Sequence, residues 1–126
     1  MSIKLNDRYK EHLMEIGSDI IEIDRIKQAQ EKQAKFVDRV LTPAELDLYK
    51  ELKGHRKYEF LAGRFAAKEA FAKAYGTGIS GKLSMLDIEI LPGEYGKPVV
   101  SSPYTGEQKV TISHSNDLAI AVVILN

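Results

Sequence analysis

The chain has 126 residues, 44% of them hydrophobic and 29% charged, which fits one globular core and excludes disordered, collagen-like and two-domain organisations. Its 18 basic and 18 acidic residues cancel, so no global field draws it to nucleic acid or to a membrane surface, and any charged partner must be read by a local pattern. Without cysteine there is no disulfide framework, thiolate nucleophile or cysteine-ligated metal centre.

The opening MSIKLNDRYKEHL is charged, with no secretory signal and no run of bilayer length following it, which points to the cytoplasm. From Glu15, EIGSDIIEI has the β-branched density of a short strand. Helical periodicity begins at Asp24, read as the N-cap, and continues to about Leu41. Thr42, Pro43 and Glu45 form a capping-box start with proline in the first turn, opening a second helix through about Leu52. Gly54 and the charged His55, Arg56 and Lys57 interrupt the pattern before a long alanine- and phenylalanine-rich helix from about Tyr58 to Tyr75, with Gly76 as its C-cap. Beyond GTGISGK the period becomes two: Leu86, Ile88 and Ile90 alternate with Asp87 and Glu89 as a strand, and LPGEYGKP supplies a turn. Further strands fall near Lys109 to Ser113 and Leu118 to Leu125, joined through HSND. The last strand, LAIAVVIL, is apolar on both parities, which predicts cover on both faces by helices or by another subunit. The order strand, three helices, strands is that of an α+β domain.

Glu69 is the most informative oddity. At 100° per residue, Tyr58, Leu61, Ala62, Phe65 and Ala72 form one apolar arc of the long helix, and Glu69 falls in its middle. A carboxylate there is protonated, paired with a base such as Lys68 or Lys73, or bound to a cation, because an uncompensated buried charge costs several kcal/mol. Asp19 shares strand parity with Ile21 and Ile23, again an acid on an apolar face. It either caps the strand, faces solvent at an edge, or joins Glu69 as a pair of hard oxygen ligands of the kind that holds magnesium. Arg64, Lys68 and Lys73 supply cations that could neutralise a pyrophosphate, and the glycine turn after them serves as a C-cap or a phosphate cradle. On the helix from Asp24, Arg25, Gln28, Lys32, Lys35 and Arg39 line one basic arc with Phe36 at its margin, either a solvated face or a surface for an acidic partner. His114 sits at a strand end as turn filler, ligand contact or base. No serine elbow, zinc helix or Walker motif occurs.

Taken in series, GSDIIEIDRI, FVDRVLTPAEL, FLAGRFAAKEAFAKAYGTGI, GKP and TISHSNDLAIAVVIL resemble the phosphopantetheinyl transferases of the holo-acyl-carrier-protein synthase group, in that family's order and spacing. The resemblance divides the chain into an N-terminal extension, residues 1–14, and one transferase domain, residues 15–126. It implies the α+β phosphopantetheinyl transferase fold, a small antiparallel sheet packed with a long central helix, assembled as a homotrimer with active sites between subunits. It implies magnesium, or manganese in its place, held by Asp19 and Glu69, with coenzyme A as co-substrate. A carrier serine would attack the phosphorus bearing the pantetheine arm, Glu69 or a water on the metal would take its proton, and Lys73 would contact the reacting pyrophosphate. Arg64, Lys68, Lys97, Pro98, Ser113 and His114 are the further coenzyme candidates. Arg25, Lys32, Lys35, Phe36 and Phe65 would face an acidic acyl carrier protein. The long extension and the short SSPYTGEQ stretch depart from the family pattern. A non-catalytic coenzyme A or nucleotide-binding oligomer of the same fold, and a purely structural oligomer, are the alternative readings.

Overall fold

The computed structural model describes residues 13–126, so the expected N-terminal extension lies outside the described residues except for Leu13 and Met14. The elements run β1 (Glu15–Glu22), α1 (Ile23–Lys32), α2 (Phe36–Val40), α3 (Pro43–Lys50), α4 (His55–Tyr75), β2 (Glu89–Pro92), β3 (Pro98–Ser101), β4 (Gln108–His114) and β5 (Leu118–Leu125), with 3-10 turns at Met85–Asp87 and Glu94–Gly96. An antiparallel sheet of order β1-β5-β4 packs on α4, and β2 and β3 form a separate antiparallel ribbon.

Several boundaries follow local chemistry. The capping box at the start of α3 is complete: Thr42 accepts from the backbone N–H of Glu45, and the Glu45 side chain accepts from that of Thr42. Gly76 ends α4 at φ 95°, a left-handed conformation for which glycine carries no Cβ penalty.

Other boundaries differ from the sequence reading. Asp24 does not cap α1; Glu22 stands at the N-cap position, without a side-chain bond to the helix, and Asp24 lies in the first turn, where it accepts from Gln28 Nε2 at 2.7 Å. The helix expected to reach Leu41 breaks after Lys32, because Gln30 turns its amide onto the chain that follows, donating to Ala34 O at 3.2 Å and accepting from Val37 N at 2.9 Å. The strand expected across Leu86, Ile88 and Ile90 begins only at Glu89, because Met85–Asp87 is a 3-10 turn closed by Asp87 accepting from Ser84 N, and Leu86 faces solvent. Pro98–Ser101 is a strand the sequence reading left out.

Helix α4 is the centre of the molecule. Leu61, Ala62, Ala66, Ala67, Ala70, Phe71 and Ala72 are fully buried, so the helix is covered around far more than the single arc expected. Its alanines let β1 come very close. A Cβ added to Gly17 would stand 2.0 Å from Ala70 O, which no side chain could occupy. Along β1 the alternation then puts Gly17, Asp19 and Ile21 toward α4 and Ile16, Ser18 and Ile20 away from it. On β5, Ala119, Ala121, Val123 and Leu125 are buried while Ile120 is exposed, so this chain covers only one face of the doubly apolar strand.

Candidate active site

Strand β1 and helix α4 bring Asp19, Glu69 and Lys73 together. Asp19 enters on the buried parity of β1, two residues beyond the glycine that sets the approach. Glu69 and Lys73 are four residues apart on α4 and therefore neighbours on its surface. Lys73 Nζ donates to Asp19 Oδ1 at 3.0 Å and to the carbonyl of Ser18 at 2.9 Å, tying the helix to the strand. Burial pushes the Glu69 carboxyl above its usual range, the nearby Asp19 charge pushes it further, and Lys73 partly offsets both. The site therefore holds two carboxylates that repel each other and one ammonium that compensates incompletely.

Lys68 is a correction. Expected among the cations facing a pyrophosphate, it is fully buried and pairs with the equally buried Glu45 at 2.6 Å. Its ammonium also donates to Val40 O at 2.6 Å, while Glu45 Oε2 accepts from Ile90 N at 2.8 Å. Desolvation lowers the lysine's proton affinity and Glu45 opposes the shift. With its donors committed inside the core, Lys68 braces α3 and β2 against α4 and has no path to a ligand.

Arg64 is partly buried, donates to Ile90 O at 3.2 Å and lies over the Phe60 ring at 4.3 Å. It borders a cavity of about 210 Å³ together with Arg56, Phe60, Gly63 and His114. At the edge of that cavity His114 Nδ1 meets Glu59 Oε2 at 2.8 Å. Ser113 sits on the opposite parity of β4, beside exposed Ile120, so within one chain it points away from the cavity that His114 borders. Pro98 begins β3 and Lys97 directly precedes it; Lys97 is exposed, and among the described residues no bond joins either to Asp19, Glu69 or Lys73.

Arg25, Lys32 and Lys35 are exposed, but the break after Lys32 splits the expected continuous stripe between α1 and the linker to α2. Arg39 turns back to hydrogen-bond Gln33. Phe36 and Phe65 stack at a tilt with ring centroids 6.2 Å apart. They line an apolar groove of about 460 Å³ with Ile79, Met85 and Leu86. Sequence reasoning missed these last three, and also Arg56 and Glu59; the exposed Leu86 was hidden by a period-two pattern that resembled a strand.

Among the described residues no cluster of three or more His, Cys, Asp or Glu side chains could hold a metal alone, and no helix is long and apolar enough to cross a membrane.

A three-stranded antiparallel sheet on one long helix, with an acid from each facing the other, defines a class. The chain belongs to the 4'-phosphopantetheinyl transferase superfamily, whose model matches residues 15–123. It is 52% identical to the holo-[acyl-carrier-protein] synthase of Enterococcus faecalis over 87% of this chain and 94% of that protein. It is 49% identical to the same enzyme of Limosilactobacillus reuteri, over 87% of this chain and 92% of the relative. The solved holo-(acyl-carrier-protein) synthase of Bacillus anthracis, in complex with CoA (3',5'-ADP), superposes with a TM-score of 0.84 at 46% identity, covering 90% of this chain and 97% of that one. The Helicobacter pylori enzyme in complex with coenzyme A superposes at 0.79 with 35% identity, over 88% of this chain and 99% of that one.

Proposed function

We infer that this chain is a holo-[acyl-carrier-protein] synthase, transferring 4'-phosphopantetheine from coenzyme A to a serine of an apo acyl carrier protein and releasing adenosine 3',5'-bisphosphate. The observation that carries the reading is the Asp19, Lys73, Glu69 constellation at the contact of β1 and α4, in a chain with relatives of this activity along most of its length.

The donor set fits a divalent cation. Two part-buried carboxylates repel each other, one lysine compensates only partly, and hard oxygens with open positions suit magnesium or manganese. Asp19 and Glu69 would hold it, and the metal when bound supplies Lewis-acid stabilisation of the phosphate oxygens. The carrier serine Oγ forms the new bond to the phosphorus bearing the pantetheine arm, and the bond from that phosphorus to the bridging oxygen breaks, leaving with the bisphosphate. Lys73, already aimed at the site, balances the charge that builds on the departing oxygens. Glu69, or a water in the site, would receive the serine proton. Arg64 and His114 border the cavity assigned to the nucleotide end of the coenzyme, with Lys97 and Pro98 at the β2–β3 ribbon and Ser113 on the outer face of the sheet as further contributors.

The carrier would dock on the groove of Phe36 and Phe65, with Arg25, Lys32 and Lys35 steering its acidic surface. Copies of the chain would assemble through the outer face of the sheet, where Ile16, Ile20, Leu118 and Ile120 are exposed, giving the homotrimer in which neighbours complete each site. Incubation with coenzyme A, magnesium and apo carrier, followed by mass spectrometry of the carrier, tests the activity. The expected result is a gain of one phosphopantetheine per carrier; folded, assembled protein that adds none would overturn the reading.

A further inference from the structure

Glu59 takes no part in the constellation above, yet it is not a loose surface acid. It lies ten residues before Glu69 on α4, about 15 Å along the helix, and its side chain is only 18% exposed. Its Oε2 stands 2.8 Å from Nδ1 of His114, the last residue of β4. One turn further along α4 is Gly63, where an added Cβ would come within 3.1 Å of Ile112 Cγ2. Helix and strand are therefore in close contact beside the pair. The two groups border the cavity that also presents Arg56, Arg64 and the Phe60 ring.

A carboxylate can only accept, so the bond places a hydrogen on Nδ1 and leaves Nε2, across the ring, as the nitrogen open to a ligand. A phosphate is also an acceptor and needs a donor at Nε2, which the ring provides in its charged form, with Glu59 as counter-ion. An unheld imidazole would rotate and exchange tautomers, and each ligand contact would first have to freeze it.

We propose that Glu59 is a positioning residue for the coenzyme: by holding Nδ1 of His114 it presents Nε2 to a phosphate at the nucleotide end of coenzyme A. It thereby sets coenzyme affinity without touching the transferred group. The proposal rests on the reading of His114 as a coenzyme contact.

Steady-state kinetics at saturating carrier test it with Glu59→Ala, Glu59→Gln, His114→Ala and the double variant Glu59→Ala/His114→Ala. Losing a hydrogen bond to a charged group should raise the coenzyme KM about tenfold in Glu59→Ala, with kcat within about twofold of the parent. Glu59→Gln, whose amide oxygen still accepts from Nδ1, should recover most of that loss. In the His114→Ala background Glu59→Ala should have no further effect, since the two act as one unit. Nitrogen-15 spectra should show His114 carrying a hydrogen on Nδ1 in the parent and in Glu59→Gln, and exchanging between tautomers in Glu59→Ala. If His114→Ala raises the coenzyme KM but Glu59→Ala does not, or if Glu59→Ala has the same effect with and without His114, the proposal falls while the coenzyme reading stands. If His114→Ala leaves the coenzyme KM unmoved, the reading beneath the proposal is removed as well.

Discussion

Asp19, Glu69 and Lys73 differ in how each answers the others' charge, and a conservative change at Glu69 separates function from stability. Glutamine keeps the volume and one hydrogen-bonding oxygen of glutamate but removes a charge that burial and Asp19 both penalise. Glu69→Gln should lower transfer by at least about 100-fold, the scale of losing one electrostatic stabiliser at a reacting centre. Its melting temperature in the absence of metal should be unchanged or higher than the parent's, because the carboxylate at position 69 no longer has to be desolvated beside Asp19. Carrier mass spectrometry and circular dichroism melts read the two effects. A variant that transfers normally would remove Glu69 from the site. The two acids were legible in the sequence because each broke an apolar parity. Their tie through Lys73 to the Ser18 carbonyl was not, since it depends on how closely α4 and β1 approach.

That approach belongs to the elements. Gly17 has no room for a methyl group: backbone atoms of Ala70 and Ala74 lie 2.0 and 2.7 Å from where it would sit. Gly17→Ala must push β1 off α4, at a cost of roughly 1–3 kcal/mol by the scale of core overpacking, and it should cut transfer as well because Asp19 moves with the strand. On the other side of α4 the Glu45 and Lys68 pair braces α3 and β2. Lys68→Met leaves Glu45 buried without its counter-ion and should cost about 3–5 kcal/mol in urea unfolding. Because Lys68 does not reach the site, the folded fraction should keep its activity per molecule; a specific loss of coenzyme affinity instead would restore Lys68 to the ligand. The start of α3 and the end of α4 could be read in advance from a capping box and a terminal glycine, signals that lie within four residues of the structure they specify. The break after Lys32 carries no glycine or proline, only Gln30 folding back onto Val37 N, and the burial of Lys68 is decided by an acid 23 positions earlier. Such outcomes are set by packing, which periodicity does not encode.

At the scale of the whole molecule, the chain turns two surfaces outward that its own core does not explain. One is the groove of Phe36, Phe65 and Leu86, lined also by Arg39, together with the exposed Arg25 and Lys32 of α1 and Lys35 of the linker that leads to Phe36. Reversing the charges of Arg25, Lys32 and Lys35 should raise the carrier KM and flatten the salt dependence of association with little change in kcat, because steering charges act on encounter. The other is the outer face of the sheet. Cross-strand pairing sets Ile20 opposite Ile120 and Ile16 opposite Ile124, so Ile16 at 66%, Ile20 at 58% and Ile120 at 42% exposure form a continuous apolar patch. An exposed apolar patch of this kind is the surface proposed above for assembly. Asp19 and Ile20 are adjacent on β1 and face opposite sides, so the strand that would carry the interface also carries one of the two proposed metal ligands. Placing a charge at the centre of the patch therefore asks whether assembly and activity are one property. Ile120→Lys projects into the outer face and leaves the buried parity of β5 untouched, so the fold should survive with an unchanged circular dichroism spectrum. Light scattering should find single chains where the parent forms the proposed trimer, and transfer should drop by more than about tenfold although Asp19, Glu69 and Lys73 remain in place. An Ile120→Lys protein that stays trimeric would move the interface elsewhere, and a monomer with full activity would show that one chain completes its own site.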